Sequence, residues 1–167
     1  MQTYIVRANA IGFVAMGFLA ILAWACAFST YWHESHASAK LALTNVVAFK
    51  QYRGSDRAGL AFDVEADLRS VWNWNVKQLF VYVKATYATE KYPRNEVVVW
   101  DKIVQTKEAS KFRIAVSKSK YPLRDIGFGL RDAKVNLTLS YDIMPITGRL
   151  FIHDAGHKVF SMPASYQ

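Results

Sequence analysis

Residues Ile11–Phe28 read IGFVAMGFLAILAWACAF, which is eighteen residues without a charge. The uncharged run extends further, from Ala8 to Trp32. At about 1.5 Å of rise per residue, eighteen helical residues span about 27 Å, and the hydrocarbon core of a bilayer is about 30 Å thick. The stretch therefore predicts one membrane-spanning helix over residues 11–32, after a short N-terminal segment over residues 1–10.

The remaining residues, 33–167, are predicted to form one domain outside the membrane. The chain carries a formal net charge of +8, and only Arg7 of its basic residues precedes the apolar stretch. The basic residues are dispersed, which is typical of a solvated surface, so we expect no nucleic-acid partner. The single cysteine, Cys26, lies in the apolar stretch, so the domain contains no disulfide and no cysteine zinc site. We expect neither a metal nor a cofactor.

The apolar stretch has two interpretations that remain open. Arg7, the apolar run Ile11–Leu22 and the small residues of Ala25–Ala27 fit a secretory signal peptide that is cut after Ala27. The alternative is a signal anchor that stays attached to the domain. The uncharged run continues past Ala27 to Trp32, and this extra length favours the anchor.

The domain shows the period-two alternation of β-strands. Leu60–Arg69 (LAFDVEADLR) is the clearest case, because apolar residues alternate with polar or small ones. The same reasoning predicts strands at Ser38–Lys50, Leu60–Arg69, Val76–Thr89, Glu96–Val104, Phe112–Ser117 and Ala133–Ile143, loops at Gln51–Gly59 and Lys118–Asp132, and a last hairpin that joins Leu150–Ile152 to Lys158–Met162 around Asp154–Gly156. About seven strands predict a mainly β fold, an antiparallel β-sandwich behind one N-terminal transmembrane helix.

The residues give no support for a catalytic centre. His33 and His36 follow the apolar stretch directly, and His153 and His157 flank the predicted turn of the last hairpin. No nucleophile, base and orienting group fall into a recognisable pattern, so we expect no catalytic residue. A hydrolase that uses His153 or His157 is the weaker hypothesis.

The tryptophans of the domain have two interpretations, core filling or contact with a partner protein. Trp72 is the strongest partner candidate, because it lies in a predicted connection between strands. The candidate partner interface comprises Trp72, Trp74, Asn75, Lys77, Gln78, Trp100 and Asp101. A separate modification site is Asn136, which opens the sequon Asn136–Thr138 on the polar face of its predicted strand and is the candidate for glycosylation.

Two segments of the domain resemble a known family. Trp74–Val83 (WNVKQLFVYV) and Val97–Val104 (VVVWDKIV) are similar to the signature of the signal peptidase complex subunit 3 family. Supporting similarity lies in Arg7–Asn9, Phe62–Leu68 and Asn136–Ile143. The resemblance covers nearly the whole chain in order.

The resemblance implies a single-pass type II protein of the endoplasmic reticulum membrane, with a cytosolic N-terminus, an uncleaved anchor and a luminal domain. It implies a non-catalytic, structural role in removing signal peptides from nascent secretory and membrane proteins. Its partners would be the catalytic serine protease subunit and the other small membrane subunits of the complex. The alternative hypothesis is a secreted or membrane-tethered recognition module that binds a ligand through exposed aromatic residues.

Overall fold

A computed structural model describes residues 3–33, 35–116 and 118–167 of the chain. Its single α-helix, α1, covers Tyr4–Ser29 and continues into a short 3-10 turn, Thr30–Trp32. Together they form the one segment, within the described residues, that is long and apolar enough to cross a membrane. The prediction of an N-terminal apolar helix is confirmed. The helix begins about two turns earlier than predicted, because Arg7 does not interrupt it.

Eight strands build two antiparallel sheets in the described part of the domain. They are β1 (Ser38–Tyr52), β2 (Ser55–Asp67), β3 (Val76–Tyr87), β4 (Asn95–Val104), β5 (Lys111–Val116), β6 (Leu123–Arg124), β7 (Lys134–Pro145) and β8 (Phe151–Ser161). The first sheet has the order β1-β2-β5, and β6 also pairs with β2. The second sheet has the order β4-β3-β7-β8. The predicted mainly β fold is confirmed. The end of the predicted strand at Ser117 lies outside the described residues.

The hydrophobic core lies between the two sheets. In the second half of β2, alternate residues from Phe62 to Ala66 turn inward, and Phe62 and Val64 are fully buried. From the second sheet, β3 and β7 contribute buried residues at the same spacing of two. The fully buried apolar members from these two strands are Leu79, Val81, Val83, Ala85, Val135, Leu137 and Leu139. The alternation visible in the sequence is therefore the pattern that positions the core.

The prediction of a loop at Gln51–Gly59 is wrong. β1 continues to Tyr52 and β2 begins at Ser55, so the connection is the two-residue turn Arg53–Gly54. Both turn residues have a positive φ, 50° at Arg53 and 76° at Gly54. Two-residue hairpin turns of this kind match the twist of the flanking strands, and glycine adopts the required conformation without strain. The polar residues after the turn belong to a strand because they are buried by partners distant in sequence.

The predicted last hairpin is also wrong. β8 is one continuous strand, and it crosses the predicted turn Asp154–Gly156 with a bulge where its register shifts between Leu139 and Ser140 of β7. Gly156 is explained by close packing and not by a turn. A Cβ added at Gly156 would lie 2.8 Å from the carbonyl oxygen of Ala39 in β1. The glycine therefore allows β8 to approach the edge of β1 closely.

The strand registers define two ends of the domain. The helix-proximal end carries the paired strand ends Ser38, Asp67 and Lys111 of the first sheet. The far end carries the Arg53–Gly54 turn. The basic loop Lys118–Asp132 contains β6, which pairs with Arg57 and Ala58 of β2. Ten strand residues separate Arg57 from Asp67, so this part of the loop lies about 33 Å from the helix-proximal end.

Candidate partner interface

Five of the seven predicted interface residues lie together at the helix-proximal end. Trp72, Trp74 and Asn75 precede β3, and Lys77 and Gln78 are near its first residue. Trp100 and Asp101 lie on β4, opposite Val83 and Tyr82 of β3. Val83 is seven residues into the strand from Val76, a distance of about 23 Å. The structure thus brings five of the candidates to one end and leaves two farther along the sheet.

The two neighbouring tryptophans differ in environment. Trp72 is half-buried and packs against the core, and its indole N–H has no hydrogen-bond partner among the described residues. Trp74 is 60% exposed. Its Nε1 donates a hydrogen bond to Oγ of Ser29, the last residue of α1, at 3.1 Å. The ring of His33 lies edge-on to it at 6.3 Å. Trp74 is therefore the candidate aromatic with a free face, and its position is fixed beside the end of the helix.

Asn75 is a structural residue of this end. Its buried side chain donates from Nδ2 to the carbonyl oxygen of Thr147 at 2.9 Å, and its Oδ1 accepts from the backbone N–H of Thr147 at 3.0 Å. The backbone of Asn75 also accepts a hydrogen bond from the N–H of Ile146 at 2.7 Å. Asn75 thus holds the connection between β7 and β8 against the start of β3.

Most of the other candidate interface residues are partly buried or already bonded within the domain. Gln78 is half-buried and donates to the sulfur of Met144 at 3.0 Å, whereas Lys77 is exposed. Trp100 is only 8% exposed and belongs to the core. Asp101 accepts a hydrogen bond from Nζ of Lys120 at 2.8 Å, and this contact raises the pKa of Lys120. Little of the Trp100 ring is therefore available for a partner.

One face of α1 contacts the domain. Ala23, Cys26 and Ala27 of α1 and Thr30 of the following turn are half-buried, whereas most residues around them are exposed. Thr147 donates from Oγ1 to the carbonyl oxygen of Ala23 at 3.2 Å. A Cβ added at Gly148 would lie 3.2 Å from Cβ of Ala27. This contact was not predicted from the sequence, although small residues at spacings of three, four and seven are the pattern that permits close approach to a helix.

A basic cleft of about 990 Å³ opens at the same end. Five basic side chains line it against two acidic ones, and the charged lining residues are Lys40, Glu65, Asp67, Arg69, Lys107, Lys111 and Arg113. Arg69 hydrogen-bonds both carboxylate oxygens of Asp67, at 2.9 and 2.6 Å. These bonds lower the pKa of Asp67 to about 2. The pair keeps one acidic group ionised, and the cleft retains an excess of positive charge.

The histidines occupy scattered positions. Nε2 of His33 lies 3.0 Å from the carbonyl oxygen of Ser70, at the helix-proximal end. His153 stacks on the ring of Tyr141 with a centroid distance of 5.4 Å. Next to it on β8, Asp154 accepts a hydrogen bond directly from Ser140 at 2.5 Å, with no histidine between them. His153 and His157 lie in a strand rather than around a turn.

Comparison with known proteins identifies the family. The family model described as "Signal peptidase subunit" matches residues 1–165. The chain belongs to this signal peptidase subunit family. It is 37% identical to signal peptidase complex subunit 3 of Gallus gallus and 35% identical to that of Homo sapiens, each over 100% of this chain and 97% of the relative. It is 34% identical to signal peptidase complex subunit 3 of Dictyostelium discoideum, over 96% of this chain and 94% of the relative.

The family assignment confirms the resemblance that was inferred from the sequence. The two segments that carried the resemblance, Trp74–Val83 and Val97–Val104, form the adjacent strands β3 and β4. Most of their apolar residues are buried in the core, and Trp74 is the large exposed aromatic among them. In this signal peptidase subunit the signature therefore describes mainly how the second sheet packs, together with one exposed aromatic beside α1.

Proposed function

We propose that this chain is a non-catalytic, structural subunit of the endoplasmic reticulum signal peptidase complex. It supports the catalytic serine protease subunit in the removal of signal peptides from nascent secretory and membrane proteins. The observation that carries the proposal is the match to the signal peptidase subunit family over nearly the full chain. The other small membrane subunits of the complex are its further partners.

The proposed topology is single-pass type II. Residues 1–10 are cytosolic, residues 11–32 are the uncleaved anchor, and residues 33–167 form the luminal domain. Two features support it: the apolar helix α1, and the sequon at Asn136, which would be useful only in the lumen. The contact of Ala27 with the β7–β8 connection also supports retention of the anchor, since it makes α1 part of the folded unit.

Trp74 is the proposed centre of the contact with the protease subunit. Tryptophan is enriched among residues that dominate binding at protein interfaces, and truncation of such a residue costs on the order of 2 kcal/mol or more. The exposed ring of Trp74 is held in place by its hydrogen bond to Ser29, so little side-chain entropy would be lost when a partner covers it. Lys77 lies exposed nearby and extends the same surface.

Co-purification tests this function. The tagged chain, solubilised in mild detergent, is expected to recover the other signal peptidase subunits, and Trp74→Ala is expected to reduce their recovery several-fold because the exposed anchor is lost. Tyr92→Ala, which removes an exposed aromatic ring far from α1, is the matched control and should recover them at the wild-type level. Recovery of the wild-type chain alone would refute complex membership. Equal losses for both variants would refute the interface at Trp74.

Intact-mass measurement of the same preparation should show that the segment up to Ala27 is retained, whereas the secreted alternative would lack it.

Asn136 is expected to carry a glycan. It lies on β7 between Thr86 of β3 and Val159 of β8, and it is half-buried on the outward face of the second sheet. Its Oδ1 is buried and has no hydrogen-bond partner among the residues that the structure describes. Endoglycosidase treatment should increase the gel mobility of the wild type and leave that of Asn136→Gln unchanged. If the wild type does not shift, the sequon is unused or the domain is not luminal.

A further inference from the structure

We propose that the loop between β7 and β8, Ile146–Leu150, enters the bilayer beside α1 and is a second membrane contact of this protein. The proposal goes beyond the proposed function and requires only that α1 spans the bilayer. The occupant of the loop's apolar surface is the acyl region of the leaflet that surrounds the C-terminal part of α1.

The depth of the loop follows from its contacts with the helix. Thr147 hydrogen-bonds the carbonyl oxygen of Ala23, six residues before Ser29, where Trp74 makes its own contact. Six helical residues correspond to about 9 Å along the axis. Ala23 lies inside the proposed anchor, residues 11–32. The hydrocarbon core accommodates about 20 helical residues, and even a span of that length counted from the residue after Arg7 would extend past Ala23 to Ala27. Ala23, and the loop beside it, thus lie at the depth of the acyl chains.

The side chains of the loop suit this depth. Ile146 is 65% exposed and Leu150 is 59% exposed, so both would present apolar surface to water in the absence of a membrane. Between them, Arg149 places its guanidinium 4.9 Å from the ring centroid of Phe151. A long basic side chain at this level can extend its charge toward the phosphate groups while its apolar stem stays in the interface.

Backbone polar groups at the start of the loop, at Ile146 and Thr147, are hydrogen-bonded within the protein. A polar backbone group in hydrocarbon must be hydrogen-bonded within the protein, because no water is available. The N–H of Ile146 and both the N–H and the carbonyl of Thr147 are bonded by Asn75, and the hydroxyl of Thr147 is bonded by α1. An ordinary surface loop would leave such groups to water. The buried Asn75 therefore supplies to Ile146 and Thr147 the hydrogen bonds that water supplies to an ordinary surface loop.

A second loop also exposes an apolar side chain, but it lies far from α1. Ile126, which is 84% exposed, lies at the far end of the domain, in the basic loop Lys118–Asp132. Strand lengths place that end about 33 Å from the helix-proximal end. Exposure alone is therefore no argument for lipid contact. What distinguishes Ile146–Leu150 is its hydrogen bond to a residue within the predicted span of α1.

Depth-dependent fluorescence quenching tests the proposal. In a Cys26→Ser background, an environment-sensitive fluorophore is attached after Ile146→Cys, Leu150→Cys, Ile21→Cys or Ile126→Cys. Ile21 is exposed on α1 and reports the span, and Ile126 reports the aqueous end. The full chain, purified with the subunits it carries, is placed in phosphatidylcholine vesicles with doxyl-labelled phosphatidylcholine, or with iodide in the water.

We expect doxyl lipid to quench the labels at residues 146, 150 and 21 at least twofold more than the label at 126, and iodide to show the reverse order. Labels at 146 and 150 that behave like the one at 126 would overturn the proposal. Labels there that respond to neither quencher would mean that a protein partner covers the loop, which also overturns it. An unquenched label at 21 would refute the membrane span itself, and the loop proposal with it.

Discussion

Replacement of Asp56 by alanine is expected to lower the free energy of unfolding by about 3 kcal/mol. The side chain of Asp56 is fully buried at the start of β2. Its two carboxyl oxygens accept hydrogen bonds from the backbone N–H of Leu130 at 3.2 Å and from the hydroxyl of Tyr166 at 2.9 Å. Removal of the carboxyl leaves two donors without their acceptor, and the N–H of Leu130 is the more costly because it is buried.

Asp63→Ala is the matched control, since Asp63 lies on the same strand but is exposed. A surface substitution of this kind changes the free energy of unfolding by no more than about 0.5 kcal/mol. Urea unfolding of the detergent-solubilised chain, followed by tryptophan fluorescence, compares the two variants. Similar midpoints for Asp56→Ala and Asp63→Ala would show that the buried carboxyl contributes nothing to holding the far end together.

Asn75→Leu is expected to release the β7–β8 loop. The substitution preserves approximate size but removes the donor and the acceptor that bind the backbone of Thr147, so two polar groups lose their partners. The expected loss is about 3 kcal/mol, concentrated at the helix-proximal end. Arg149 lies in this loop, so the measurable result is faster cleavage by trypsin after Arg149 in the detergent-solubilised protein.

Gln78→Leu is the control for Asn75→Leu, because Gln78 also lies near the start of β3 and donates only to the weak sulfur acceptor of Met144. Its cleavage rate after Arg149 should equal that of the wild type. If Asn75→Leu also leaves the rate unchanged, the loop is held by its other contacts and Asn75 is not the residue that secures it.

The elements with regular patterns could be predicted from the sequence alone. The uncharged run predicted α1, and the alternation in Leu60–Arg69 and Val76–Thr89 predicted the inner strands, because burial on one face follows directly from the side-chain period. The failures have a common cause. Ser55 and Asp56 looked like loop residues because they are polar, but they are buried at the far end, where Asp56 accepts hydrogen bonds from Leu130 and Tyr166, which lie far along the chain.

The candidate site was predictable only in part. The sequence indicated the region around Trp74, and the structure places Trp74 on the surface next to α1. The sequence favoured Trp72 over Trp74 and Trp100, but Trp72 packs against the core and Trp100 is buried in it. Which tryptophan stays exposed depends on how the two sheets pack, and the alternation does not show that. The sequence also could not reveal that Asn75 hydrogen-bonds the backbone of Thr147, since that contact depends on how β3 and β7 are placed relative to each other.

The close approach of Gly156 to Ala39 has a consequence for the order in which the domain assembles. Among the eight strands of the described residues, the ribosome makes β1 first and β8 last, yet the two meet at one edge of the sandwich. Contacts between such distant segments form slowly, because a long loop must close before they contribute. While the chain is still being synthesised, the edge of β1 that β8 later covers would be exposed, and exposed strand edges are sites where chains associate wrongly. A newly made copy is thus most vulnerable until its last strand has arrived.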